Sequence, residues 1–394
     1  VSPLDSQLSE ALQALADAKR YRRRRLVEAR AGGTKSVRVD GQDCLAFCSN
    51  DYLGLAQHPR VLSAFVDGVR EWGAGSGASH LVSGHCREHH ALEEEIADFV
   101  QRPRALLFSG GYMANLAVVT ALLSTGDRVF EDRLNHASLL DGGWLSRSRF
   151  ERYPHADVDE LRRGLATPCA GRSLVISDGV FSMDGDVAPL GALAATCQEL
   201  GASLFVDDAH GFGVLGAHGR GSLESENLGV DQVPILMCTL GKAVGTFGAF
   251  VAGSEPLIEY LIQRGRTYIY TTALPPAVAT ATRAALRTLQ EEAWRREHLG
   301  RLVERFRPAA RSIGLKLLPS ATPIQPVVLG HETSALAASD ALFDAGIWVP
   351  AIRPPTVPEK SSRLRITFSA THTDSDLDRL LEALSRLQRQ GLFD

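Results

Sequence analysis

Leu204-Phe205-Val206-Asp207-Asp208-Ala209-His210-Gly211 decides how the rest of the chain is read. Three apolar residues, suited to a buried strand, run straight into two carboxylates, an imidazole and a glycine. Similar short apolar runs occur at 105–108, 129–130, 174–176, 235–238 and 249–252, separated by longer segments of helical period. That rhythm, from about residue 50 to 285, predicts an α/β fold with a doubly wound, mainly parallel sheet. In such sheets ligands sit at the carboxyl ends of the strands, so the residues directly after each run are the candidates for chemistry.

Three of these strand ends stand out. After 105–108 comes Ser109-Gly110-Gly111-Tyr112-Met113-Ala114-Asn115, a glycine turn opening a helix. Free backbone N–H groups and the helix dipole favour a phosphate there, although an ordinary tight turn accounts for the glycines equally well. At Asp207, Asp208 and His210, buried charge is costly without a partner cation. A protonated pyridine nitrogen would serve, and the carboxylate beside it would keep the ring an electron sink. Spacing alone leaves a metal pair or a structural ion pair open. After 235–238 comes Thr239-Leu240-Gly241-Lys242-Ala243-Val244-Gly245. Most lysines are solvated. One at the end of an apolar strand among small residues loses solvation, which favours the free amine that makes a Schiff base.

The glycine turn, Asp-x-x-His and the lysine follow one another on strands of one sheet. With Ser49-Asn50-Asp51-Tyr52-Leu53-Gly54-Leu55, Asn135-His136-Ala137-Ser138-Leu139 and Asp178-Gly179-Val180-Phe181-Ser182-Met183-Asp184-Gly185-Asp186, they make the chain resemble the α-oxoamine synthases, fold-type I pyridoxal-phosphate (PLP) enzymes. The resemblance runs from about Arg22 to the C-terminal helix. It implies that Lys242 forms the Schiff base with PLP and then moves the substrate α-proton, with Asp207 on the pyridine nitrogen. It places His210 and Ser182 near the ring hydroxyl, and His136 on the ring face and against the substrate. Gly111 and Tyr112 would lie beside the cofactor and Thr239 would bind its phosphate. Thr271 or Thr272 would reach a phosphate across a homodimer interface.

Within the family, Ala351-Ile352-Arg353-Pro354-Pro355-Thr356-Val357-Pro358 resembles the branch that condenses L-alanine with a pimeloyl thioester. The glycine-using sisters, of aminolevulinate synthase or aminoketobutyrate ligase type, are the alternative. Arg353 offers a planar fork suited to the amino-acid carboxylate, with Asn50 helping and Thr356 nearby. Arg22 aligns with an arginine that contacts the acyl substrate, and the run Arg22-Arg23-Arg24-Arg25 leaves a register of Arg23 or Arg24 open. The thioester is one of coenzyme A or of an acyl carrier protein.

Composition sets the outer bounds. The chain has 394 residues, 44% hydrophobic and 22% charged, which is more than one core usually supports. We expect an N-terminal helix and arm over 1–48, a large cofactor domain over 49–285 and a small α+β domain over 286–394. Leu4, Leu8, Leu12 and Leu15 predict a helix from residue 4 to about 28, and a polar helix is expected over 290–306. Strict alternation in Arg363-Leu364-Arg365-Ile366-Thr367-Phe368 predicts a half-exposed strand, and Thr373 with Asp376 a capping box.

A net charge of −4 argues against nucleic-acid binding. No run approaches a membrane span or a leader, and the six cysteines form no dense framework, so a cytoplasmic protein with reduced thiols is expected. Gly211-Phe212-Gly213-Val214-Leu215-Gly216 matches a dinucleotide fingerprint, the sign of an NAD-linked oxidoreductase, but Gly219 and Gly221 interrupt the helix it needs. His85, Cys86, His89 and His90 cluster without an evident further ligand, so no metal is expected.

Overall fold

A computed structural model describes residues 2–393, and for 29–34 the backbone. The chain divides into two units, residues 50–182 with 186–297, and residues 1–49 with 183–185 and 298–394.

The larger unit is built on a seven-stranded sheet in the order Arg104–Phe108, Ala249–Gly253, Ile235–Thr239, Ser203–Asp207, Ser173–Asp178, Arg128–Asp132, Arg149–Tyr153. Ala249–Gly253 is antiparallel to both neighbours and the other pairings are parallel. All six apolar runs are strands. Consecutive residues such as Leu174, Val175 and Ile176, or Leu204, Phe205 and Val206, are buried, as expected where helices cover both faces. The seventh strand, Arg149–Tyr153, has no apolar run to announce it and lies at the sheet edge, largely exposed or half-buried.

The smaller unit ties the two chain ends together. Val27–Thr34, Ser36–Val39 and Gln42–Ala46 form a sheet completed by Ile347–Trp348, which pairs parallel with Gln42–Ala46. A second, antiparallel sheet runs Ile324–Gly330, Ser362–Thr367, Ala351–Ile352.

The half-exposed reading of residues 363–368 is corrected by this placement. Ser362–Thr367 is the central strand and is buried throughout. Its arginines are held by partners instead of solvent: Arg363 Nη1 lies 2.6 Å from Asp184 Oδ1, and Arg365 Nη1 donates to Thr367 Oγ1 at 3.0 Å.

Two helix expectations also change. The first helix is Pro3–Asp17, not residues 4 to 28; Lys19 is left-handed (φ 57°), and the arginines follow in non-helical chain. The end is a local cap, in which the Arg20 and Tyr21 N–H groups donate to the Leu15 carbonyl at 2.8 and 3.0 Å, and Arg353 donates to the carbonyls of Lys19 and Tyr21 just beyond it. The polar helix over 290–306 is instead the end of Pro276–Glu291 and most of Trp294–Ser312, broken where Glu292 leaves helical dihedrals (φ −107°, ψ 56°). The capping box of Thr373 and Asp376 is present at the start of Asp374–Arg389.

Candidate active site

Adjacent strand ends of the larger unit deliver the acidic groups. Asp178 and Asp207 are the last residues of neighbouring parallel strands and pair in register. Asp207 is 3% exposed; Oδ1 accepts the Ala209 N–H at 3.0 Å and Oδ2 accepts from Asn115 Nδ2 at 2.7 Å. Asp178 Oδ2 accepts the His136 N–H at 2.7 Å. Burial first, and then the charge of Asp207, push the Asp178 carboxyl well above the usual carboxylate range.

His136 caps the helix Ala137–Leu145, and its Nδ1 lies 2.7 Å from Ser138 Oγ. Burial holds its pKa below the ordinary 6.5; Asp207 opposes that shift and Lys242 adds to it. Lys242 sits in the turn after Ile235–Thr239, where Leu240 N–H meets the Gly248 carbonyl at 2.8 Å and Gly245 N–H meets that of Lys242 at 2.9 Å. Lys242 Nζ lies 3.1 Å from His210 Nε2, and His210 Nδ1 is 2.6 Å from Tyr52 Oη.

These side chains line a cavity of about 190 Å³. Of the expected cofactor residues it gathers Gly111, Tyr112, His136, Asp207, His210, Thr239 and Lys242. Ser182, Thr271 and Thr272 do not line it; Thr272 is bridged to Ser79, and its carbonyl accepts from Ser109 Oγ at 3.2 Å. Asn115, Ser138 and Asp178 line it without having been singled out. Asn115 left one signal, being the only amide within the apolar helix Gly111–Leu122. The donor set suits PLP. Asp207 can face a pyridine N–H, Lys242 an aldehyde and His136 a ring face, while the N-terminus of Gly111–Leu122 and Thr239 offer donors to a phosphate.

Asp208, next along, is a buried carboxyl with a different task. Ser222 N–H donates to its Oδ2 at 2.7 Å, and burial pushes its pKa up to about 7. A Cβ on Gly211 would sit 2.1 Å from Asp208 Oδ1, and one on Gly221 1.9 Å from Oδ2. Gly211 and, beyond the dinucleotide-like stretch, Gly221 therefore make room for Asp208, whereas a Cβ on Gly213 would meet Ala243 and one on Gly216 would meet Glu224. The stretch is a series of turns followed only by the four-residue helix Ser222–Ser225, so the context a dinucleotide site needs is missing.

The expected substrate residues fall in both units. Asn50 begins the larger one. In the smaller, Arg22 Nη2 donates to Thr356 Oγ1 at 3.2 Å, and a cavity of about 740 Å³ is lined by Lys19, Arg23, Arg24, Arg25 and Arg353 among others. It is larger than the cavity around Lys242.

His80, His85 and His89 each bring a ring nitrogen within 4.8 Å of the others. His89 already uses both nitrogens: Nε2 donates to the Leu274 carbonyl at 2.6 Å, and Nδ1 accepts the Cys86 N–H at 3.1 Å. His80 stacks on Tyr268 with ring centroids 4.9 Å apart. His89 is thus committed through both nitrogens, and His80 through its ring face.

Residues 42–384 match the family model "Aminotransferase class I and II". The chain is 55% identical over 387 residues to the 8-amino-7-oxononanoate synthase of Saccharophagus degradans, covering 98% of each. It is 61% identical over 365 residues to that of Methylococcus capsulatus, covering 93% of this chain and 94% of the other. Among solved structures, the serine palmitoyltransferase of S. paucimobilis with a bound PLP–myriocin aldimine superposes with a TM-score of 0.93 at 29% identity, covering 99% of both chains. The 8-amino-7-oxononanoate synthase of Francisella tularensis gives 0.78 at 34% identity, covering 88% of this chain and 98% of that one.

Proposed function

We propose, on the premise that the chain belongs to the 8-amino-7-oxononanoate synthase family within the class I and II aminotransferases, that the cavity around Lys242 is where its reaction takes place. That reaction is the PLP-dependent condensation of L-alanine with a pimeloyl thioester, with loss of carbon dioxide and thiol, giving 8-amino-7-oxononanoate in biotin biosynthesis. The observation that carries the assignment is the meeting of Lys242, His210, Asp207 and His136 in one small cavity at strand ends.

Bound PLP supplies an electron sink that makes a carbanion accessible at the amino-acid α-carbon and again on decarboxylation. Asp207, held by Asn115 and the Ala209 N–H, is placed to keep the pyridine nitrogen protonated. The Lys242 amine would hold the cofactor aldehyde and, when free, would take the substrate α-proton and supply a proton to the same carbon after acylation and loss of carbon dioxide. His136 would cover the ring face and donate to the substrate; His210 would serve the ring hydroxyl, a role the family resemblance also gives to Ser182, which lies outside the cavity lining. Gly111, Tyr112 and Thr239 complete the cofactor seat.

Arg353, whose terminal nitrogens hold the Lys19 and Tyr21 carbonyls, would exchange them for the alanine carboxylate; Asn50 is the second residue assigned to that carboxylate, and Arg22 and Thr356, already in contact, are assigned to the acyl chain. The cationic lining contributed by Lys19, Arg23 and Arg24 suits the phosphates of a phosphopantetheine thioester, whether of coenzyme A or of a carrier protein. A homodimer, with Thr271 or Thr272 serving the partner's site, is supported by the uncovered stripe Leu62, Phe65, Val66 and Val69 on the helix Pro59–Trp72. A cytoplasmic setting agrees with six unpaired cysteines.

The test is to record the visible absorption of the PLP-loaded protein, then to add alanine, glycine, serine and threonine separately. A visible band that responds best to alanine is expected. Absence of any chromophore after incubation with PLP would refute the reading, and a preference for glycine would move the chain to a sister activity.

A further inference from the structure

A continuous hydrogen-bond path joins Asp207 to His136 through Asn115 and Ser138. Asn115 Nδ2 lies 2.7 Å from Asp207 Oδ2 and 2.8 Å from Ser138 Oγ, and Ser138 Oγ lies 2.7 Å from His136 Nδ1. Asn115 is 1% exposed and Ser138 not at all, so water does not substitute for these partners.

Counting protons fixes the direction of the path. An ionised carboxylate only accepts, so the amide group facing Asp207 is the nitrogen; the reverse orientation would set carbonyl against carboxylate. That nitrogen has two hydrogens, one for Asp207 and one for Ser138. Asn115 Oδ1 is left without a partner among the described residues, as expected when the nitrogen end takes both contacts. Ser138 Oγ thus accepts from Asn115, and its own single proton goes to its remaining neighbour, His136 Nδ1. The Ser138 backbone N–H points at the same nitrogen from 3.3 Å. Two donors converge on Nδ1, which therefore carries no proton. Because burial keeps the ring neutral, its proton lies on Nε2.

We propose that Asn115 and Ser138 are positioning residues that lock His136 in its Nε2–H tautomer, making that ring a hydrogen-bond donor to whatever occupies the cavity, and that the direction of the lock is set by the negative charge of Asp207. Asn115 serves both ends: one amide hydrogen steadies the carboxylate that faces the cofactor, and the other orients the hydroxyl that fixes the imidazole. Ser138 serves only the imidazole. The proposal rests on the PLP reading above for its catalytic meaning, but the tautomer exists in the protein with or without cofactor.

Selective 15N labelling of histidine tests it, with the His136 resonances assigned by their loss in His136→Gln. Wild-type protein is expected to show a protonated Nε2 and a lone-pair Nδ1. In Asn115→Asp, whose oxygen can only accept from Ser138, the hydroxyl turns away and the spectrum should shift toward the Nδ1–H form. Ser138→Ala should loosen the tautomer while leaving PLP affinity within about threefold, whereas Asn115→Leu should weaken PLP retention by about tenfold or more, the loss of one hydrogen bond to a charged group. A protonated Nδ1 in the wild type overturns the proposal, and that measurement needs no variant to fold. So does a tautomer unchanged in both Asn115→Asp and Ser138→Ala. A protein that binds no PLP, with the tautomer as proposed, would sink the cofactor reading and leave the hydrogen-bond lock standing.

Discussion

Replacing His155 with Gln should destabilise the protein at neutral pH by an amount that shrinks as the pH rises. His155 Nδ1 lies 3.0 Å from Asp132 Oδ1 and its Nε2 2.8 Å from Asp186 Oδ2. Burial works against its charge, but hydrogen bonds and the charges of the two carboxylates outweigh that, lifting its pKa from 6.5 to about 10. A group whose pKa is raised on folding contributes stability that is complete below its unfolded pKa and is lost as pH rises through the folded one. Linkage between 6.5 and about 10 gives about 4 kcal/mol at pH 7 and about 1.4 kcal/mol at pH 9 as upper values. The gap between wild type and His155→Gln should therefore narrow by about 2.5 kcal/mol from pH 7 to pH 9. Urea unfolding of both proteins at the two pH values, at one protein concentration and saturating PLP, measures it. A gap that stays constant or widens would refute the charged bridge. Asp132 also accepts the N–H groups of Leu134 and Ala156, so the bridge steadies the turn that leads into His136.

Gly221→Ala should lower the thermal midpoint measurably, by a destabilisation of more than about 2 kcal/mol, because residue 221 has φ 101° and the new Cβ would meet Asp208 Oδ2. Calorimetry giving a wild-type midpoint would show that the loop relaxes around the methyl group. Lys242→Ala should lose turnover by at least about a thousandfold with an unchanged far-UV circular dichroism spectrum. Appreciable steady-state turnover in that variant would contradict the role given to the lysine.

Much of the fold was legible because a strand covered on both faces must be apolar throughout, and six such strands stand out against helical segments. What failed did so where a local pattern had two physical explanations. Arg363 and Arg365 alternate with apolar residues as they would on a solvated face, yet a central strand buries them beside Asp184 and Thr367. The arginine run after Asp17 continues a helical texture on paper. What ends the helix is a left-handed Lys19, after which the Arg20 and Tyr21 N–H groups turn back to the Leu15 carbonyl; Arg353, more than 300 positions away, then holds the Lys19 and Tyr21 carbonyls.

The site divides along the same line. Lys242, Asp207 and His210 could be singled out because a charged group directly after an apolar strand is unusual in itself. Asn115 and Ser138 are small polar residues inside helices, and their importance comes from where their protons go, which only the three-dimensional path from Asp207 to His136 reveals. A buried amide in an otherwise apolar helix turn was the one trace of them in the sequence. Residues that touch a cofactor are constrained in chemical type and so leave a motif, whereas residues that orient those groups are constrained mainly in the direction of a hydrogen bond.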